Sequence, residues 1–234
     1  MSRTAELASK QSLIEGLIAL EARIAGKAAA CKVHFRRSPA DLPRRLALLE
    51  GAALDHLLVN LGDFERSIDL AASAGVDLWD DVEFFRLSMS ALGLSFPSDF
   101  IGKLGPEDVI EAYDLQRRQI FRNMRFMEMS SYSLLEMLSS DWTQLFERSG
   151  QITELLIQWS EKILWTENKT LELDIPKHVI RELRSCEPQA CEVRQKYFAP
   201  LFSGPNKPGG ALSVCEARVL AAKLDIARDN VTFV

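Results

Sequence analysis

The sequence predicts an α+β fold, with a helical N-terminal region over residues 1–95 and a strand-bearing region of short elements over 105–222. Three observations carry that prediction. Apolar residues recur at helical spacing through the first ninety positions. Glycine and proline then concentrate in one break, LGLSFPSDFIGKLGPED. Beyond it the pattern turns to short β-branched and aromatic runs, and two long strand-like runs follow near the end.

Between Thr4 and Lys32, residues Leu13, Leu17, Leu20 and Ile24 recur at spacings of four, three and four, with Glu15, Glu21 and Arg23 off the stripe. Such a stripe predicts an amphipathic helix that either packs on the body of the protein or forms the seam of a homodimer. The segment KVHFRRSPADLPRR reads as a connection. Ser38-Pro-Ala-Asp41 offers helix-start signals for a helix running to Gly75, and Asp77, Asp80 and Asp81 suit the start of another over Leu78 to Leu92.

After the break, DVIEAYD and QIFRN predict a hairpin turning at Leu115-Gln-Arg-Arg118. Short helices are expected through MRFMEMSS, SLLEMLSS, DWTQLFERS and ITELLIQWSEKILW. Within 149–190 the third strand and the helix beside it are not placed: either LELDI is the strand with PKHVIRELRS a helix after it, or the order differs. ACEVRQKYFAPLF and GGALSVCEARVLAA read as two long strands joined by the turn-rich SGPNKPGG, and 223–234 as a tail.

Composition narrows the function classes. The 234 residues, 47% hydrophobic, can bury one good core or two small ones. A net charge of −5 argues against a globally basic nucleic-acid binder. Two basic clusters stand out: Lys32, Arg36, Arg37, Arg44 and Arg45, and the hairpin's Arg117, Arg118, Arg122 and Arg125. Both read first as solvated faces, with contact to an acidic partner or nucleic acid the alternative for either; a DNA-associated regulator would use the former. No leader-like or membrane-length apolar run occurs, so a cytoplasmic protein without membrane contact is expected. Cys31, Cys186, Cys191 and Cys215 match neither a disulfide framework nor a zinc pattern and read as reduced, buried thiols. His34, His56 and His178 are scattered, which predicts no metal site. With no GxSxG, GxxxxGK[ST] or GxGxxG present, no enzymatic activity is expected.

The order of two strands, short helices and a closing strand pair resembles a PAS domain over roughly 107 to 222. The residues carrying the resemblance are Asp108, Asn123, Phe126, Tyr132, Ser133, Glu136, Trp142, Leu145 and Phe146, then more loosely Tyr197, Phe198, Pro200, Leu201, Gly209, Gly210 and Val214. Ser131 stands where the family has glycine, and 149–187 is longer than the family's helix and strand there. The resemblance implies a PAS-like five-stranded antiparallel sheet flanked by short helices. It also implies a pocket, with candidate ligand-binding residues Phe121, Asn123, Phe126, Met127, Met129, Tyr132, Leu138, Trp142, Phe146, His178, Tyr197 and Phe198, most of which serve equally as core. Haem-binding relatives supply an axial imidazole, for which His178 is the candidate. Its ordinary reading is a hydrogen-bonded or surface histidine, and the cofactor stays unassigned. The cysteine motif of flavin photoreceptors is missing, which disfavours flavin.

The function expected is that of a bacterial-type signalling protein that senses a small ligand or partner and signals by contact with a protein effector in trans, as a homodimer. The alternatives are a ligand-free dimerisation scaffold and, less favoured, a DNA-associated transcriptional regulator.

Overall fold

The structure is a computed structural model and describes residues 3–164, 168–183, 188–205 and 207–220. Cys186 and the 223–234 tail lie outside the described residues. Four helices come first: α1 (Arg3–Ala30), α2 (Leu42–Leu46), α3 (Gly51–Ala74) and α4 (Asp81–Ala91). The stripe of α1 faces inward, with Ile14, Leu17, Leu20 and Ile24 all buried in a cluster shared with Leu54, Leu57, Leu61 and Phe64 of α3. Glu65 of α3 ties the outer edge of this pair to Arg23 and Lys27 of α1, at 2.6 and 2.9 Å. The stripe read as a homodimer seam is therefore consumed inside the chain.

The helix expected from Ser38 to Gly75 is two helices. Pro43 fits the first turn of α2, which ends at Leu46; Leu48 is then 83% exposed and Glu50 is extended as α3 begins. The break re-aims the chain so that Leu42 and Leu46, as well as Leu54 and Leu57, reach the same core. Gly75 ends α3 at φ 68°, a left-handed conformation that glycine adopts without cost. Asp80 opens α4 by accepting the Glu83 N–H at 3.1 Å.

The seven strands are β1 (Asp108–Asp114), β2 (Gln119–Arg122), β3 (Phe146–Glu147), β4 (Leu171–Glu172), β5 (His178–Glu182), β6 (Ala190–Gly204) and β7 (Lys207–Leu220). They form one antiparallel sheet ordered β2-β1-β7-β6-β5-β3, with β4 paired to β6. Between strands lie α5 (Met124–Met129), α6 (Leu134–Ser139), α7 (Trp142–Leu145) and α8 (Gly150–Ile163). Among the described residues the fold is thus α+β, with eight α-helices.

Side-chain alternation divides the sheet into two faces. Ile110, Ala112, Phe121, Ala199, Leu201, Leu212 and Val214 join the core built by α1, α3 and α4. Val109, Val193, Ile180, Cys191 and Cys215 face the other way, against Phe126, Met129 and Phe146. One continuous core therefore crosses the break at 93–106, and the helical layer and the sheet pack as a unit.

His178–Glu182 is a strand where a helix was expected. Its burial alternates, with His178, Ile180 and Glu182 inside and Val179 and Arg181 outside, because β5 pairs with β6 through His178↔Val193 and Ile180↔Cys191. Cross-strand pairing overrides the local helix preference of Arg-Glu-Leu-Arg. LELDI contributes only the two-residue β4, at Leu171↔Phe198 and Glu172↔Tyr197.

Candidate functional site

The face of the sheet turned away from the N-terminal helices does not pack solid. A cavity of about 90 Å³ lies between it and α5, α7 and α8. That is below the several hundred Å³ of a typical drug-sized ligand site, so a ligand held there is small. Phe126 and Met129 of α5, Trp142 of α7, Phe146, Leu156 and Leu164 supply one wall. Ile180, Val193, Phe198 and Ala211 supply much of the other.

Polar groups converge within this apolar lining. Glu111 and Tyr113 of β1, Arg122 of β2, Gln195 of β6, Ser213 and Cys215 of β7, His178 of β5 and Arg148 all line it. Strand register places them: Glu111 sits directly across from Arg122, and across from Ser213 on its other side. Arg122 is only 2% exposed. Its guanidinium lies 3.8 Å from the centre of the Phe126 ring, and its Nε is 3.4 Å from Glu111 Oε1. Even so, Nε and Nη1 are buried without a hydrogen-bond partner. Arg148 stacks over Trp142 at 4.7 Å, and its buried Nε likewise has no partner.

Glu111 is already occupied, since its Oε1 accepts from the Tyr113 hydroxyl at 2.9 Å and from Gln119 Nε2 at 3.1 Å. Burial, reinforced by Glu111, pushes the Tyr113 phenol well above its usual value, so it stays protonated and donates. Burial lowers the pKa of both arginines, yet a guanidinium remains charged in a protein. Burial also lowers His178. Its Nδ1 sits 3.0 Å from the Pro176 carbonyl, which can only accept, so Nδ1 carries the proton and the neutral ring keeps its lone pair at Nε2. Cys215 is pushed well above the ordinary thiol range, again chiefly by burial, and is no nucleophile.

Of the pocket candidates read from the sequence, Phe126, Met129, Trp142, Phe146, His178 and Phe198 line the cavity. The rest do other work. Phe121 packs with Phe84 and Phe85 in the helical core, and Leu138 lies against the same core. Met127 is half-buried beside both cores, while Tyr197 belongs to the helical face and lies near Lys103 and Lys196. Tyr132 locks the rim of the sheet, donating to the Leu145 carbonyl at 2.6 Å and accepting the Leu183 N–H at 3.0 Å. Asn123 bridges β1 and β2 beyond their ladder: Oδ1 accepts the Ile110 N–H at 3.0 Å and Nδ2 donates to the Asp108 carbonyl at 2.8 Å.

Sequence reasoning missed Glu111, Arg122, Arg148 and Gln195. By sequence Arg122 belongs with the solvated hairpin bases; strand alternation turns it inward. The available signal was a two-residue period through QIFR that puts an arginine on the face opposite Phe121. The first basic cluster is also partly engaged, Arg36 with the Ser130 carbonyl at 3.2 Å and Arg45 with Glu136 at 2.5 Å. Among the described residues no group of three or more His, Cys, Asp or Glu side chains could hold a metal ion, and no helix is long and apolar enough to cross a membrane.

Compared with known proteins, the chain matches no protein-family model and no curated protein.

Proposed function

We propose that this chain is a regulatory protein whose sheet-containing part is a PAS-like sensory unit, binding a small ligand in the cavity and signalling by protein–protein contact. The observation carrying this reading is the cavity itself: an apolar chamber whose polar groups converge from β1, β2, β5, β6 and β7, with arginine N–H groups inside it lacking acceptors. Buried donors without partners are costly, and such sites in native proteins call for an occupant. The PAS resemblance is supported by five contiguous antiparallel strands, β2-β1-β7-β6-β5, with short helices on one face. Helices α1 to α4 are an added layer on the opposite face, and β3 and β4 lie outside that five-strand pattern.

A route from cavity to surface is also at hand. The α5 wall carries Phe126 and Met129, and the Met124 N–H at its start donates to Asp81 Oδ1 of α4 at 2.9 Å. The next helix, α6, is capped by Ser133, whose hydroxyl meets Ser38 Oγ at 2.8 Å. Ser38 and the Leu135 N–H both donate to Glu21 of α1, and Arg45 reaches Glu136. A ligand that favours one position of α5 and α6 thereby shifts the helical layer, to the extent of its differential affinity for the two arrangements. That layer is where an effector in trans would read the change.

Native mass spectrometry with an absorbance scan of freshly purified protein tests this. A bound small molecule that leaves on denaturation is expected. A bare-chain mass after incubation with cell extract refutes the sensory reading.

A further inference from the structure

The charge inside the cavity identifies the kind of ligand. Five charged side chains line it: Arg117, Arg122 and Arg148 against Glu111 and Asp114. Asp114 and Arg117 belong to the hairpin end of the lining. Asp114 accepts the Gln116 and Arg118 N–H groups at 2.9 and 2.8 Å, and Arg117, on the exposed hairpin tip, faces Glu161 of α8 at 3.7 Å. Three arginines against two carboxylates leave the lining with one net positive charge. No acidic side chain among the described residues lies within ion-pair distance of Arg148, and Glu111 offers Arg122 no well-formed hydrogen bond.

We infer that the cavity binds a small organic monocarboxylate with an apolar or aromatic body, its carboxylate held between Arg122 and Arg148. This rests on the sensory reading above and specifies its ligand. A carboxylate offers two acceptor oxygens in the plane that a guanidinium fork matches, and a single negative charge closes the balance. A phosphate dianion would overshoot it in a chamber whose remaining walls, Phe126, Met129, Phe146, Ile180 and Val193, solvate no charge. Those walls take the body of the ligand, and Trp142 beneath Arg148 is placed to report its arrival.

The test is calorimetric titration of the full chain with benzoate, phenylacetate and octanoate, each against its neutral primary amide, and with inorganic phosphate. At least one acid is expected to bind at least tenfold more tightly than its amide and than phosphate. R148M and R122M should each weaken that acid at least tenfold. Arg148 has no ion pair to lose, so R148M should fold normally and keeps the test valid if R122M does not. Amides binding as well as acids, or both variants retaining affinity, would overturn the carboxylate assignment while leaving a ligand-binding cavity in place. No binding by any of the acids, with or without phosphate binding, overturns it as well. The sensory reading fails separately, by the bare-chain mass described above.

Discussion

Replacing Asn123 by alanine should destabilise the protein through backbone groups that the side chain alone satisfies. Asn123 is fully buried, and its amide makes one hydrogen bond to the Ile110 N–H and one to the Asp108 carbonyl, at 3.0 and 2.8 Å. Alanine leaves both groups buried at the start of β1. Each orphaned group costs about 1–3 kcal/mol, and partial relaxation puts the pair at roughly 2–4 kcal/mol. Urea denaturation followed by tryptophan fluorescence should show a midpoint lower by roughly 1 M, given slopes of about 1–3 kcal/mol per molar. N123D sharpens the test. Its carboxylate can still accept from Ile110 but turns an oxygen toward the Asp108 carbonyl, so it should be at least as unstable at pH 7 and recover partly when protonated. Midpoints within 0.2 M or so of wild type for both variants would refute the bridging role.

Three further outcomes follow from the packing and the electrostatics. I24D should unfold the chain, as seen by circular dichroism, because Ile24 is buried against α3; a folded variant that merely changes its sedimentation would restore the dimer-seam reading. Burial raises Asp81 from 3.8 to about 6, so the native state holds a proton that the unfolded chain has released between those values. Stability therefore falls as pH rises from about 4 to about 6 and levels above; D81N, which keeps an acceptor for the Met124 N–H, should remove that slope, and superimposable wild-type and D81N pH profiles would count against it. G210A should cost at least about 2 kcal/mol in thermal or chemical denaturation. Gly210 has φ 154°, and a Cβ there would collide with the Tyr113 carbonyl oxygen where β7 meets β1; an unaffected melting temperature would contradict the register.

Some of this molecule is legible residue by residue. Helical periodicity marks α1, the glycine after Ala74 marks the end of α3, and Asp80 marks the start of α4, because these signals act within a few residues of one another. The hairpin β1–β2 and the long pair β6–β7 follow from local pattern in the same way, and the PAS resemblance named Phe126, Trp142, Phe146 and Phe198 among the cavity-lining aromatics, missing Tyr113. Other features depend on partners distant in sequence. The Leu17 and Ile24 stripe is the same whether it meets α3 or another copy of α1, and only packing assigns it to α3. PKHVIRELRS carries helix-forming residues, and β6, ten residues further on, makes it a strand.

The site shows the limit most clearly. Arg122 beside Arg117, Arg118 and Arg125 looks like one more surface base. Its inward direction comes from β-strand alternation, its pairing from a register with Glu111 that no local signal specifies, and its lack of acceptors from α5 closing over it with Phe126. Arg148 joins it from a loop 26 positions later, brought near by β3 pairing with β5. Local chemistry thus determined which segments are helix and strand, because propensity and capping act at short range. Tertiary structure alone decided which face of each strand is lined with charge, because a buried charge is defined by what surrounds it, and those surroundings are drawn from six strands and three helices along the chain.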